Sequence, residues 1–362
     1  MSQQERYQRQ LILEGFGPSA QEKLAKAKVL VIGAGGLGCP ILQYLSAAGV
    51  GTIGIADDDT VSYSNLNRQV LYGQNDIGKY KVDIAIERLR ALNNEIEFIP
   101  FKQRWDQALS LEHFPHYDII VDATDNFASR YLINDGCVLL KKPLVFGAVS
   151  KFEGQVAIFN VTDQSPIISY RDLFPDPPKN NEVLSCSEAG VLGVVPGIVG
   201  NMQAMELIKL ITGIGKPLVH QLCLYNALTQ ETYTVQLSQN EKAKEKIPHS
   251  IEAYLATDYE WLCAADIAKE ISIEDWLANK EKWLLVDIRE LSEKPRLAQY
   301  DHLSIPLSQL DKELAQLKNK SVVFVCQSGT RSRNAVANFA INTWESFSLS
   351  GGVNELLKRK LI

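Results

Sequence analysis

Residues 29–38 read VLVIGAGGLG, four apolar residues running directly into a glycine pattern. The run KVLVI (28–32) reads as a short buried strand, and residues 38–48 as the helix that follows. Gly33, Gly35 and Gly38 fall in the spacing G-x-G-x-x-G at the turn between them. Glycines there permit a tight turn and close approach of backbone N–H groups to a phosphate, and the helix N-terminus favours the anion. The same grammar repeats outward from this turn. GTIGIAD (51–57) reads as the next strand, KVDIAIERLRALN (81–93) has helical spacing, and EIEFIPF (95–101) and YDIIVDATD (117–125) read as further strands. KPLVFGAVS and FEGQVAIFN (142–160) are two more strands, joined closely enough to be antiparallel. The alternation predicts a doubly wound, nucleotide-binding α/β unit with a mixed sheet.

Asp57 ends the second strand, 19 residues beyond Gly38, where a carboxylate can accept hydrogen bonds from ribose hydroxyls. On these features alone an NAD(P) oxidoreductase is the first reading. The residues that follow turn it towards triphosphate chemistry. DDDTVSYSNLNRQ (57–69) supplies Asn65 and Arg68, DIGKYK (76–81) adds Lys81, and DATDN (122–126) brings Asp125 and Asn126 to another strand end. Cations and amides gathered about a phosphate site suit a triphosphate, and a carboxylate such as Asp125 suits Mg²⁺, a hard ion that prefers oxygen ligands. Hydride transfer needs no such collection. Each residue alone reads more readily as a solvated surface charge; their joint placement at strand ends is what counts against that.

The chain has 362 residues, 46% hydrophobic and 22% charged, with a net charge of −6. That length suits two domains, and the acidic balance does not suggest nucleic-acid binding. The amino-terminal stretch MSQQERYQRQ has no charged-then-apolar leader, and no apolar run reaches the roughly 18 residues of a membrane span. A cytoplasmic protein with no membrane association is therefore expected. Six cysteines, at 39, 137, 186, 223, 263 and 326, form no C-x-x-C pair and are expected as free thiols. LFPDPPKNNEVLSCSE (173–188) has no usable periodicity, GNMQAMELIKLITG (200–213) is an amphipathic helix with a glycine cap, and SQNEKAKEKIPHS (238–250) is polar enough for a linker. The expected domains are 1–237 and 265–362, with a linker over 238–264. In the second, SIEDWLANK and LSQLDKELAQL read as helices and WLLVDIRE and SVVFV as strands.

RYQRQLILEGFG, GAGGLGCP, DDDTVSYSNLNRQ, GKYKV and DATDN together resemble the ThiF/MoeB family, bacterial relatives of ubiquitin-activating enzymes, over roughly residues 4–237. The resemblance implies a Rossmann-like fold and a homodimer. It also implies use of ATP and Mg²⁺ to adenylate the C-terminal Gly-Gly carboxylate of a ubiquitin-like sulfur carrier. It assigns Gly36 to the phosphates and Asp57 to the ribose. Ser64, Asn65, Arg68 and Lys81 line the triphosphate, Asp125 holds Mg²⁺, and Asn126 shares its wall. Arg9 corresponds to the arginine that reaches the partner subunit's ATP site. Cys186, in SCSEAGVLG, corresponds to a crossover-loop cysteine that in relatives attacks the acyl-adenylate or pairs with the carrier; an inert buried thiol is the alternative. Many relatives also hold zinc through two C-x-x-C pairs, but ISYRDLFPDPP and TVQLSQNEKAKEKIPHS contain no cysteine, so no structural zinc is expected.

Near the carboxyl end, VFVCQSGTRSRNA (323–335) leads a buried strand into Cys326 and then a helix. With LLVDIRE, SIPLSQL and SLSGGVNEL it resembles a small α/β rhodanese domain over about 265–362. Four residues separate Cys326 from Arg331. A loop this short can turn backbone N–H groups towards sulfur, and with Arg331 and the helix N-terminus would hold a thiolate or persulfide. A phosphatase-like cradle, which has five intervening residues, and a purely structural thiol are the alternatives. The two resemblances together imply adenylation followed by attack of a Cys326 persulfide, loaded by a donor such as a cysteine desulfurase. Reduction of the resulting acyl disulfide, with help from Cys186, would leave a thiocarboxylate. Carriers of molybdopterin, thiamin and tRNA-thiolation routes all remain open. So do adenylation with a regulatory rhodanese domain and a non-catalytic carrier-binding scaffold.

Overall fold

A computed structural model describes residues 3–177, 190–259, 269–291, 293–313, 317, 321–339 and 345–362. The chain divides into two compact units: among the described residues those up to Asp176 and those from Gly190 to Thr257 form the first, and Pro177 with those from Asp258 onward the second.

The first unit is an eight-stranded mixed sheet. Its strands are β1 (Lys28–Ile32), β2 (Thr52–Ala56), β3 (Glu97–Phe101), β4 (Ile119–Asp122), β5 (Leu144–Ser150), β6 (Glu153–Phe159), β7 (Gln221–Asn226) and β8 (Glu231–Gln236). They lie in the order β3-β2-β1-β4-β5-β6-β7-β8. Pairing is parallel from β3 to β5 and antiparallel from β5 to β8, so β5 and β6 meet as the sequence predicts. Chain order reverses between β1 and β4, which opens a crevice at the carboxyl ends of β1, β2 and β4, the place where such sheets bind ligands.

Helix Val194–Thr212 packs beneath β5 and β6 and against helix Gly38–Ala48. It begins earlier than the predicted 200–213, because Pro196 sits in its first turn, where a missing N–H leaves no bond unmade. Its 19 residues are long and apolar enough to cross a membrane by composition. Val195, Val199, Ala204 and Leu207 are nevertheless buried in the same core as Val29 and Val31 of β1, so here it is a core helix.

The stretch expected as a linker carries helices Glu241–Lys244 and Ile251–Ala256, both in the first unit. Tyr254 anchors them: it is wholly buried, and its hydroxyl donates to Leu132 O at 3.0 Å. Gln107 Nε2 donates to Thr257 O at 2.7 Å close by. Replacing Tyr254 with alanine is expected to cost the unit about 3–5 kcal/mol, a typical penalty for a buried aromatic. A denaturant midpoint unchanged from wild type would show instead that residues beyond 237 contribute nothing to this unit.

The second unit is a five-stranded parallel sheet of β9 (Glu270–Ile271), β10 (Leu284–Asp287), β11 (Leu303–Ser304), β12 (Val322–Val325) and β13 (Ser346–Leu349), ordered β11-β10-β12-β13-β9. Alternation along β12 builds two cores. Val323 and Val325 join Trp276, Leu349 and Leu356 on one face, and Val322 and Phe324 join Val286, Ile305 and Val336 on the other.

Candidate active site

The glycine turn is built by close approach of β1 to β4. Gly33 has φ +102° and donates its N–H to Ala56 O at 2.8 Å. A Cβ at Gly33 would lie 2.5 Å from Ala123 O, so a side chain fits neither the conformation nor the space. A Cβ at Gly38 would strike Gly33 O, which lets helix Gly38–Ala48 start directly against the turn.

Asp57 ties this turn to the end of β2. Its carboxylate accepts the Ala34 N–H at 2.8 Å and the Asp59 N–H at 2.9 Å. Burial pushes the Asp57 carboxyl up, against the pull of Lys81 and those two N–H groups. Two oxygens with several lone pairs leave acceptor capacity for hydroxyls.

Lys81 opens helix Lys81–Leu92, and its side chain is only 5% exposed. Nζ lies 2.7 Å from Asp59 Oδ2 and 3.7 Å from Asp57 Oδ1. A cation at a helix N-terminus opposes the helix dipole by about 0.3–1 kcal/mol, which the two carboxylates offset. Arg68 runs along the glycine turn, its Cγ 3.6 Å from where a Gly36 Cβ would stand, and Nη1 donates to Ser64 O at 3.0 Å and Asn67 Oδ1 at 3.1 Å. Asn65 Oδ1 accepts the Ser62 N–H at 3.0 Å, and the Ser62 and Ser64 hydroxyls are 2.9 Å apart. These contacts shape the turn Tyr63–Asn65 that carries Arg68 towards the glycines.

Asp125 and Asn126 follow β4 and are exposed. Asn126 also caps helix Phe127–Leu139 by accepting the Ser129 N–H at 2.8 Å. The carboxylates that stand together are Asp57, Asp58 and Asp59, with oxygens within 4.8 Å of one another. Asp125 is not in that group, but an exposed carboxylate at a strand end is a hard donor of the kind Mg²⁺ takes. Gly33, Gly35, Gly36, Gly38, Asp57, Ser64, Asn65, Arg68, Lys81, Asp125 and Asn126 thus all follow β1, β2 or β4. Arg9, by contrast, is exposed on helix Gln3–Leu11. Cys186 lies outside the described residues.

Two residues of the β4 end were missed by sequence reasoning. Asp122 is buried, and its Oδ1 accepts the Thr124 N–H at 2.9 Å and the Thr124 hydroxyl at 2.6 Å. Its Oδ2 has no hydrogen-bond partner among the described residues and lies 3.9 Å from Arg130 Nε. Arg130 is itself buried, over the rings of Phe127 and Phe146. Its i+4 relation to Asn126 was the available signal.

The cysteines sort by environment. Cys39, Cys137 and Cys223 are buried free thiols. Burial pushes Cys39 up to about 12 and raises Cys137 and Cys223 too, which makes all three poor nucleophiles. Cys326, also buried, has different company. The Ser332 N–H points at its Sγ from 3.3 Å, and Ser332 Oγ lies 3.5 Å away. Ser332 Oγ is in turn 2.8 Å from Ser348 Oγ and donates to Gly329 O at 3.0 Å. Neither serine was singled out in the sequence. The loop is held from outside by helix Gly352–Lys358, with Val353 N–H donating to Cys326 O and Asn354 N–H to Gln327 O, each at 2.9 Å. Gly352, at φ +58°, packs against Cys326 O, where a Cβ would collide.

Arg331, expected beside the sulfur, feels the charge of Cys326 and is also paired with a carboxylate. Its two terminal nitrogens donate to the two oxygens of Glu293 at 2.6 Å each. The pair draws the Glu293 carboxyl down to about 2. Its contribution to stability is therefore complete above the ordinary carboxylate range and is lost only as pH falls through about 2.

The cysteine-free stretches around residues 167–177 and 234–250 meet directly. Asn240 N–H donates to Asp172 Oδ1 at 2.8 Å, Gln239 Nε2 donates to Ile167 O at 3.1 Å, and Lys246 pairs with Asp176. Beneath them Arg171 grips Asp135 with two bonds of 2.7 Å, both side chains buried.

Fold and site define a class: a nucleotide-binding α/β sheet with cations at its switch point, carried in one chain with a parallel α/β unit that cradles a cysteine. The chain belongs to the ThiF family, which it matches over residues 7–246, and it also matches the rhodanese-like domain over residues 272–359. It is 46% identical to the sulfur carrier protein adenylyltransferase of Thermus thermophilus, over 72% of this chain and 96% of that protein. It is 40% identical to the probable adenylyltransferase/sulfurtransferase MoeZ of Mycobacterium tuberculosis, over 92% and 87%. Among solved structures, E. coli MccB with ATP shares the fold, with a TM-score of 0.56 at 21% identity over 65% of this chain and 72% of that one.

Proposed function

We propose that this chain uses ATP to adenylate the C-terminal glycine of a ubiquitin-like sulfur carrier, then converts the activated carboxylate into a thiocarboxylate with sulfur carried on Cys326. The observation that carries this reading is the union, in one chain, of a crevice at the ends of β1, β2 and β4 that holds Arg68 and Lys81 with a loop that turns an N–H onto Cys326 Sγ. The 40% identity to a protein named for both activities supports it.

In the first step a carboxylate oxygen of the carrier attacks the α-phosphorus, and the bond to pyrophosphate breaks. Backbone N–H groups at Gly35–Gly38 and the helix that starts there bind phosphate. Asp57 accepts from the ribose. Ser64, Asn65, Arg68 and Lys81 line the triphosphate, where positive charge offsets the charge that develops on departing pyrophosphate. Asp125, with Asn126 beside it, is the residue that would hold Mg²⁺, whose chemistry is charge neutralisation on phosphate oxygens. Arg9 serves the partner's site in a homodimer. In the second step the Cys326 persulfide attacks the acyl carbon and AMP leaves with the electron pair of the broken C–O bond. A thiol, Cys186 in this reading, then attacks the acyl disulfide at the Cys326 sulfur; the S–S bond breaks, its electron pair leaves on the thiocarboxylate, and the Cys186–Cys326 disulfide that forms is reduced by a small-molecule or protein dithiol. The persulfide comes from a donor such as a cysteine desulfurase, in the reducing cytoplasm.

The first unit needs no structural zinc in this reading, since the Asp172, Asp176 and Arg171 contacts supply the clamp. Elemental analysis of purified protein is expected to find zinc well below one ion per chain, and a stoichiometric signal would reject that point. The function is tested by incubating the full chain with ATP, Mg²⁺, thiosulfate and each small Gly-Gly-ending protein of the host. One of them is expected to yield a thiocarboxylate by mass spectrometry together with AMP. Absence of carrier-dependent AMP with every candidate would reject adenylation.

A further inference from the structure

We propose that Glu293 selects the class of sulfur donor, disfavouring small dianions such as thiosulfate and leaving the Cys326 loop suited to alkyl and protein persulfides. The inference rests on Cys326 being the persulfide carrier.

The described arginines around the loop are each opposed by a carboxylate. Arg331, at the rim with its side chain 35% exposed, is held fork to fork by Glu293, 28% exposed. Arg289 bonds Asp287 at 2.9 and 2.8 Å and gives a third bond of 3.0 Å to Gln327 Oε1 in the loop itself. Arg296 lies 3.4 Å from the same Asp287, and Arg333 bonds Glu270 at 2.9 Å. Among the described residues the group that donates to the sulfur is neutral, the Ser332 N–H, with the Ser332 hydroxyl 3.5 Å away and turned to Gly329 O. One N–H suits one sulfur anion. A second and third negative charge brought by the donor must find a cation, and Arg331, which feels the charge of Cys326, already has its full bidentate partner.

Donor chemistry separates on this point. With thiosulfate, the Cys326 thiolate attacks the outer sulfur and the S–S bond breaks. Its electron pair leaves on sulfite, so a dianion enters and a dianion departs. With R–S–SH, the thiolate attacks the outer sulfur and the pair leaves on R–S⁻, which takes the proton of the transferred S–H. No charge beyond that of Cys326 has to be accommodated. Removing the Glu293 carboxylate frees the Arg331 fork for the dianion and leaves the second reaction as it was.

The test compares thiosulfate and 2-hydroxyethyl persulfide as donors, with cyanide as acceptor, using the full chain. Glu293→Gln and Glu293→Ala are each expected to raise kcat/KM for thiosulfate about ten-fold, mainly through KM, roughly the weight of one charge-assisted contact. The persulfide value should stay within about two-fold, which also reports that the variants are folded, and Glu293→Asp, which keeps the charge, should resemble wild type. Equal changes for both donors, or unchanged thiosulfate kinetics, would overturn the inference. Cys326→Ala distinguishes the deeper failure: transfer that persists in it removes the persulfide carrier itself, whereas Cys326-dependent transfer with an unaltered donor ratio removes only the role of Glu293.

Discussion

Arg68→Ala is expected to slow carrier-dependent ATP–pyrophosphate exchange about 100- to 1,000-fold, the usual cost of removing one donor aimed at developing charge. The thermal midpoint should move by no more than about 2 °C, because a half-buried side chain with local partners contributes little to stability. The described contacts of Arg68 are to Ser64 O and Asn67 Oδ1, both in its own turn. Its loss strands no buried charge. Lys81→Ala should be as damaging to exchange but is a less clean experiment. Lys81 is buried against Asp57 and Asp59, and removing one partner of a buried pair typically costs about 3–5 kcal/mol. Exchange that survives Arg68→Ala at wild-type rates would sink the assignment of the crevice to triphosphate chemistry, whatever Lys81→Ala does.

The parts of this site that the sequence makes legible are those that depend on backbone geometry close in the chain. Gly33 needs its positive φ, Gly38 needs contact with Gly33 O, and Asp57 ends the strand beside them. Spacing alone reports such things. Partners that come together through strand pairing are hidden. Ser332 and Ser348 meet only because β12 and β13 are neighbours, and Glu293 reaches Arg331 across 38 residues from a stretch that reads as loop. Asp122 and Arg130 were passed over in favour of Asp125 and Asn126, since a strand end gives no sign of which carboxylate turns inward. The fold shows the same limit. β8 is exposed along its whole length, so the alternation of Tyr233 and Val235 with Thr232 and Thr234 marks no buried face. Helix Ile251–Ala256 is too short for periodicity, and its burial rests on Tyr254.

Cys326→Ala is expected to abolish thiosulfate-to-cyanide sulfur transfer, a fall of at least about 1,000-fold as for other lost nucleophiles. Carrier-dependent AMP formation should stay within about two-fold of wild type, since Cys326 belongs to the second unit and the crevice to the first. The physical case lies in contrast with the other described thiols. Cys39, Cys137 and Cys223 are pushed up by burial, which outweighs the pull of Lys81, Lys142 and Lys209 respectively. Cys326 is as buried, yet an N–H at the start of helix Thr330–Phe339 is aimed at its sulfur, and a second hydroxyl stands behind the first. A purely structural cysteine has no use for that arrangement. Two outcomes would separate the remaining alternatives. Transfer that persists in the alanine variant makes Cys326 structural. Transfer that is lost, while a defined persulfide donor still gives full thiocarboxylate with the variant, makes the cysteine competent but incidental to the carrier. Loss of both reactions with adenylation intact is the result expected if activation and sulfur delivery are two halves of one acyl transfer.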